Sequence, residues 1–348
     1  MGIRKVLILA NGTVSVTQKK AGREGFFGFF NFRNAATWLM FDPSNFINQL
    51  AEHCPEENRL VLDGPGTDVT NDKGSLIKSV SALIDGHIGD SGINANFEKI
   101  KQFLKKQSDE AAMAGDSLIV CGVGWSRGAF LLLQMKEWLE EKAVKKNINI
   151  EAVHLHYIDS VAGGPTDRLR YLKVPSYRPK APMHLEVHRY LSNTGNLNLW
   201  AYILGYLPEK YQVNTPFFSG VLDKTENTIH SVSGVDYRHR SMNWLFPASH
   251  EALVGKSSNK IERWAGDLVL ANIVRHLEDL SFALDNSWAK KILKRGNTAL
   301  EQLRQYNPAL TSCRKYLDFE QPETTLLGRE PTESDNINSC LSMRDFTL

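Results

Sequence analysis

The sequence predicts an α/β fold, a mostly parallel sheet flanked by helices with a helical C-terminal region. Three observations predict it. Strand-like and helix-like segments alternate through the first half of the chain, the signature of a parallel sheet covered by helices. The strand-like runs Val6–Ala10 and Ser117–Gly122 are apolar almost throughout, as in strands buried on both faces. From Asn259 to about Tyr306 the periodicity is helical throughout. At 348 residues with 42% hydrophobic side chains, the chain can bury the core such a fold needs.

The elements follow in order. Val6–Ala10 reads as a first strand, closed by a turn at Asn11-Gly-Thr13. Gly22–Phe32 is a Gly-broken aromatic loop, and 35–53 is helical with an interruption near Pro43. Asn58–Leu62 is a second strand, closed by Asp63-Gly-Pro-Gly-Thr67. Ile93 to about Gln107 is an amphipathic helix. Asp116–Gly122 is a buried strand, Gly124–Gly128 a tight turn, and Ala129 to about Lys145 a helix. Ile148–Ile158 is a strand with alternating character, ending at Asp159-Ser-Val-Ala-Gly-Gly164. Glu186–Leu191 is a strand, and Asn196–Leu207 is an aromatic, lid-like helix. Ser219–Ser249 carries several His and Asp residues. From about Gln321 the chain is polar and Pro-interrupted, a poorly ordered tail. In domain terms, 1–256 forms the catalytic unit with 164–245 as a lid or insertion, 257–310 its helical extension, and 325–348 a flexible tail.

Composition narrows the function. A net charge of +2 argues against nucleic-acid binding, which usually needs a basic excess. The four cysteines, Cys54, Cys121, Cys313 and Cys340, lack CxxC spacing, so neither a zinc ribbon nor a disulfide framework is expected. No other spacing suggests a metal site, and no cofactor is implied. No run of some twenty apolar residues is present, and the short N-terminal apolar run reads as a strand rather than a signal peptide. The expectation is a protein made in the cytoplasm, with export open only to a route needing no cleaved signal. Oligomeric state is not legible.

Gly124-Trp-Ser-Arg-Gly128 carries the chemistry. It fits G-x-S-x-G in the required context, a buried strand before and a helix after. Serine at such a bend adopts strained dihedrals, and small neighbours let the backbone pass close on either side. Its hydroxyl is thereby raised beside a helix N-terminus, whose N–H groups can steady an oxyanion. Ser126 is the candidate nucleophile, and the N–H of Arg127 the first oxyanion donor. The turn at Asn11-Gly-Thr13 should supply the second, from Gly12 or Thr13, because a first-half βα loop commonly does so.

Several segments together resemble a bacterial and fungal family of uncharacterised α/β hydrolases that includes the phospholipase effectors of type VI secretion. That family pairs a first-strand Asp-Gly-Thr with Gly-Phe-Ser-Arg-Gly-Ala. Here the counterparts are Asn11-Gly-Thr13 and Gly124-Trp-Ser-Arg-Gly-Ala129. Asp63-Gly-Pro-Gly-Thr67, Asp159-Ser-Val161, the segment His230–Arg240 and Pro247-Ala-Ser-His-Glu-Ala-Leu-Val-Gly255 match further motifs, in order, across residues 5–256. Asn11 stands in place of Asp, Trp125 of Phe, and Lys256 of a common second Gly. The resemblance implies an α/β-hydrolase-like fold, a serine hydrolase acting on lipid or phospholipid esters, and peripheral membrane contact.

The resemblance and the Ser…acid…His chain order point to His250 as the base, ahead of His230 and His239. Asp159, at a strand end where catalytic groups of parallel sheets collect, is the favoured acid, with Asp236 as the alternative. Asn11, Asp63 and Trp125 are expected to line the cleft. A thioesterase or other non-lipid hydrolase, or an inactive hydrolase fold used for binding, remain the alternatives. The aromatic stretches 25–32 and 199–207 are read either as membrane-touching lids or as core.

Overall fold

The computed structural model describes residues 2–12, 45–65, 92–145, 148–160, 181–192, 227–246, 248, 250–257, 259–305 and 337–339. The expected aromatic loop at 25–32, the lid-like helix at 196–207, Thr13 and Thr67 lie outside them.

Among the described residues, eight strands form one sheet: β1 (Ile3–Ala10), β2 (Arg59–Leu62), β3 (Ser117–Trp125), β4 (Ile150–Ile158), β5 (His184–Ser192), β6 (Thr228–Val232), β7 (Val235–Phe246) and β8 (Ile337–Ser339). The order is β2-β1-β3-β4-β5-β7-β6, with β8 also pairing β7. Every pairing is parallel except β6 with β7. That pair is a hairpin turned at Ser233 and Gly234, whose φ values of 52° and 81° place both in the left-handed region tight hairpin turns require.

Five helices are described: α1 (Phe46–His53), α2 (Ile93–Ala114), α3 (Arg127–Val144), α4 (Lys260–Asp279) and α5 (Asn286–Gln305). The side-chain period of two divides the strands between two cores. Val6, Ile8, Val120, Val153, Leu155, Leu185 and Val187 face one layer with α2 and α3. Leu7, Leu9, Cys121, Val123, Ile158, Tyr190 and Trp244 face the other, with α1, α4 and α5. The central strands β1 and β3 are apolar on both sides because both sides are covered.

The helix ends follow from local chemistry. Asn45 Oδ1 accepts from Ile47 N at 2.9 Å and starts α1; Asn259 Oδ1 does the same for Ile261 N in α4. Gly115, at φ 71°, stops α2, which runs seven residues past its expected end near Gln107. The helical stretch expected to be continuous from Asn259 to Tyr306 is two helices. α4 ends at Asp279, Ser281 takes φ 55°, and Asp285 Oδ1 caps α5 by accepting from Ser287 N (2.9 Å) and Trp288 N (3.1 Å). The break lets both helices pack apolar faces into one core. The polar tail also contributes more than sequence suggested, since residues 337–339 pair in parallel with Asn243–Leu245.

Candidate active site

β3 runs to Trp125, and α3 begins at Arg127, so Ser126 alone makes the turn between them. Its backbone, at φ 55° and ψ −120°, lies where a non-glycine residue is strained. Two glycines make the bend possible. A Cβ on Gly124 would meet the backbone of Gly128 and Ala129 at 2.7 Å, and one on Gly128 would meet the Ala10 carbonyl oxygen at 2.2 Å. The start of α3 is thus pressed against the end of β1, which leads into Asn11-Gly12.

The strand ends are tied in a staircase of backbone hydrogen bonds. Asn11 N donates to Leu62 O (3.1 Å), Ser126 N to Ile158 O (3.0 Å), and Asp159 N to Tyr190 O (2.8 Å). Each residue just past a strand is held by a carbonyl at or near the end of the neighbouring strand. Ser126 and Asp159 therefore emerge side by side at the C-terminal edge of the sheet, where Trp125 pairs with Ile158. Asp159 is also at positive φ, 41°.

Asp159 is fully buried, and its Oδ2 lies 2.8 Å from His250 Nδ1. A carboxylate at this distance accepts the Nδ1–H, which leaves the Nε2 lone pair to take a proton. His250 follows β7 and precedes a 3₁₀ turn at Ala252–Val254. Trp125 fixes it from the other side. The indole Nε1–H donates to the His250 carbonyl at 3.3 Å, and the rings stand 5.3 Å apart. Beneath the indole lies Gly12, where a Cβ would come within 2.5 Å of the ring. The Lys256 ammonium also sits 4.8 Å from the ring centroid, a cation–π contact. Sequence reading gave Trp125 only a place in the cleft and Lys256 none. The run Trp125…His250…Lys256 is legible as a clamp only once the chain is folded.

The other candidates fall elsewhere. Asp236 is exposed on the β6–β7 hairpin and accepts a hydrogen bond from Ser231 Oγ. His230 Nε2 meets Ala181 O at 3.0 Å, and His239 Nε2 meets Met183 O at 3.1 Å, so both rings are engaged by backbone of the 181–183 segment. Asp63 follows β2, and its carbonyl accepts from Asn96 Nδ2 at 3.0 Å. Asn11 is buried and turns toward α1: its Nδ2 donates to Asn48 Oδ1 (3.2 Å), and its Oδ1 accepts from Asn45 Nδ2 (3.0 Å). An amide here serves as donor and acceptor at once, which a carboxylate cannot do. Cys54 and Cys121 are buried free thiols. Burial pushes Cys54 up to about 12 and raises Cys121 as well, so neither thiol competes as a nucleophile.

A second polar cluster escaped sequence reading. His154 and His156 on β4, Glu186 and His188 on β5, and His276 on α4 gather on the α4 side of the sheet. The signal was present as period-two spacing, 154/156 and 186/188, on two neighbouring strands.

Among the described residues, no helix is long and apolar enough to cross a membrane. No protein-family model matches the chain, and no curated protein matches it. Among solved structures, the phospholipase PlaB from Legionella pneumophila, in complex with thio-NAD, is similar at 10% identity and a TM-score of 0.36. The match covers 87% of this chain and 64% of that one, so the chain spans less than two thirds of its length. What the chain does is therefore read from its own residues: a serine on a strained bend, beside a buried carboxylate–imidazole pair.

Proposed function

We propose that this chain is a serine hydrolase of the α/β-hydrolase type that cleaves carboxylic esters through an acyl-Ser126 intermediate. The observation that carries the reading is the 2.8 Å Asp159–His250 contact at the strand edge where Ser126 makes its strained turn. In the reaction, His250 Nε2 takes the Ser126 proton as Oγ attacks the ester carbonyl carbon. Asp159 holds the tautomer and stabilises the imidazolium. The N–H of Arg127, with Gly12 or Thr13, receives the oxyanion. Collapse expels the alcohol, protonated by His250. Water, deprotonated by the same nitrogen, then releases the acid and restores Ser126.

The substrate class we assign is lipid or phospholipid, a phospholipase A-like activity. The motif resemblance to the type VI secretion phospholipase effectors supports it. So do the aromatic segments 25–32 and 199–207, as elements suited to peripheral contact with a bilayer. Membership of that effector group, with export independent of a cleaved signal, belongs to the same proposal.

A fluorophosphonate probe tests the nucleophile: it should label the wild type and leave Ser126→Ala unlabelled. Equal labelling of both sinks the mechanism, and no labelling of either favours a silent fold used for binding. Comparing phospholipid vesicles with soluble short esters and thioesters tests the substrate class. Turnover confined to the soluble substrates would replace the lipid assignment with a non-lipid esterase or thioesterase.

A further inference from the structure

The β4–β5–α4 histidine cluster has no part in the ester chemistry above, and its arrangement calls for its own account. One ring nitrogen each of His156, His188 and His276 lies within 4.8 Å of the others. The ring centroids of His156 and His188, and of His188 and His276, are 4.6 Å apart. His156 Nε2 and His276 Nδ1 face each other at 2.9 Å.

Three features give these rings the character of ligands. Burial pushes His156 well below its ordinary value and His276 down to about 3, so near pH 7 each offers a neutral imidazole. In two of the rings one nitrogen is already engaged by a neighbouring side chain. His156 Nδ1 lies 2.9 Å from Tyr190 Oη, which also accepts from Asn272 Nδ2 at 2.5 Å. His188 Nε2 lies 2.7 Å from Glu186 Oε1. A carboxylate or phenol on the outer nitrogen is the usual support of a metal-bound histidine, fixing its tautomer and raising its basicity. Finally, with Nε2 donating to Glu186, the lone pair of His188 falls on Nδ1. That atom is buried and has no hydrogen-bond partner among the described residues. Buried polar atoms seldom go unsatisfied.

We propose that His156, His188 and His276 bind a divalent transition-metal ion of the zinc class, with Glu186 and Tyr190 as the outer support. Three imidazoles suit such ions rather than Mg²⁺ or Ca²⁺, which take oxygen ligands. The ion would replace the proton shared between His156 and His276. Closing to nitrogen–metal distances of about 2.0–2.1 Å would draw the three rings together by small side-chain rotations. His276 and Glu186 are only half-buried, which leaves a way in for the ion and room for a solvent ligand in the fourth position. The site joins α4 to the two strands whose ends carry Asp159 and its Tyr190 partner. His156 precedes Asp159 by three residues, about 10 Å along a strand, so the ion holds the sheet beneath the site and does not enter it. This proposal is independent of Ser126.

The test uses the full chain, stripped with a chelator and titrated with Co²⁺. One equivalent should bind with the intense visible bands of a four-coordinate site, Zn²⁺ should displace it, and the Tm should rise with Zn²⁺. His276→Gln should weaken binding at least 100-fold, His188→Gln similarly, and Ser126→Ala should bind as the wild type does. Circular dichroism establishes that each variant is folded; should His188→Gln fail to fold, His276→Gln on the half-buried helix gives the same reading. His154→Gln distinguishes the neighbouring grouping of His154, Glu186 and His276. Loss of binding in that variant with retention in His188→Gln overturns the ligand assignment. Absence of Co²⁺ binding by the wild type, or unchanged binding by His276→Gln, overturns the site.

Discussion

Replacing Asp159 by Asn isolates the contribution of one negative charge. The substitution is nearly isosteric, and Asn tolerates the positive φ of 41° at this position, so the backbone bond from residue 159 to Tyr190 should survive. In the proposed mechanism, what is lost is the attraction between the carboxylate and the imidazolium that forms as Ser126 is deprotonated. With Oδ2 at 2.8 Å from Nδ1, the two charge centres are about 4 Å apart. At an effective dielectric of about 20, that attraction is worth roughly 4 kcal/mol. Each ~1.36 kcal/mol is tenfold in rate, so kcat/KM should fall about 10³-fold. Should the amide donate to Nδ1 instead of accepting from it, the wrong tautomer would be held and the loss would approach ~10⁴. The assay is hydrolysis of a fluorogenic ester, with Asp236→Asn measured alongside. Asp236 is exposed on its hairpin, so that variant should stay within about twofold of the wild type. An Asp159→Asn enzyme keeping a third of wild-type kcat/KM, with Asp236→Asn impaired, would refute the assignment of the acid.

Three further outcomes are expected. His250→Ala should abolish ester turnover while the protein stays folded by circular dichroism; wild-type-like activity would exclude it as the base. Trp125→Phe removes the indole N–H bond to the His250 carbonyl but keeps a ring over Gly12, so kcat should fall about three- to tenfold, for roughly 1 kcal/mol, with KM little changed; an unchanged kcat would deny the clamp. The metal-free protein should lose stability in acid. Burial holds His154 down to about 4 and His276 to about 3, both below the ordinary value of 6.5. Below about pH 6.5 the unfolded chain therefore takes up protons that the folded chain refuses, and stability falls until those lower values are passed. Tm measured from pH 7 to pH 4 should drop less steeply in His154→Gln than in the wild type, and parallel curves would contradict this.

The legible parts of the molecule are those in which local pattern and tertiary role agree. Gly124-Trp-Ser-Arg-Gly128 could be read because the bend, its glycines and its flanking strand and helix are contiguous. Sequence placed Ser126, Asp159 and His250 as candidates, and the fold brings the last two into contact at the strand edge beside the first. The β6–β7 hairpin went unread because its strands carry Asp236, Arg238 and Arg240 on exposed positions, although Ser233-Gly234 is a turn signal. The α4–α5 break was hidden since Leu280–Asp285 contains no Pro or Gly. The histidine cluster was hidden by distance along the chain, with 120 residues between His156 and His276. Its half-signal, alternation along two strands, gains meaning only once the strands are known to be neighbours.

The staircase of main-chain bonds at the sheet edge has a consequence for how this protein can change. Because Asn11, Ser126 and Asp159 are each anchored through peptide groups, neighbouring side chains can be exchanged without displacing these three. A deletion is another matter. Removing one residue at the start of β4 would turn His154 and His156 toward α3, bring Val153 and Leu155 round toward α4, and carry Asp159 off its step. Homologues should therefore tolerate insertions around the sheet far more readily than any alteration in the length of its central strands.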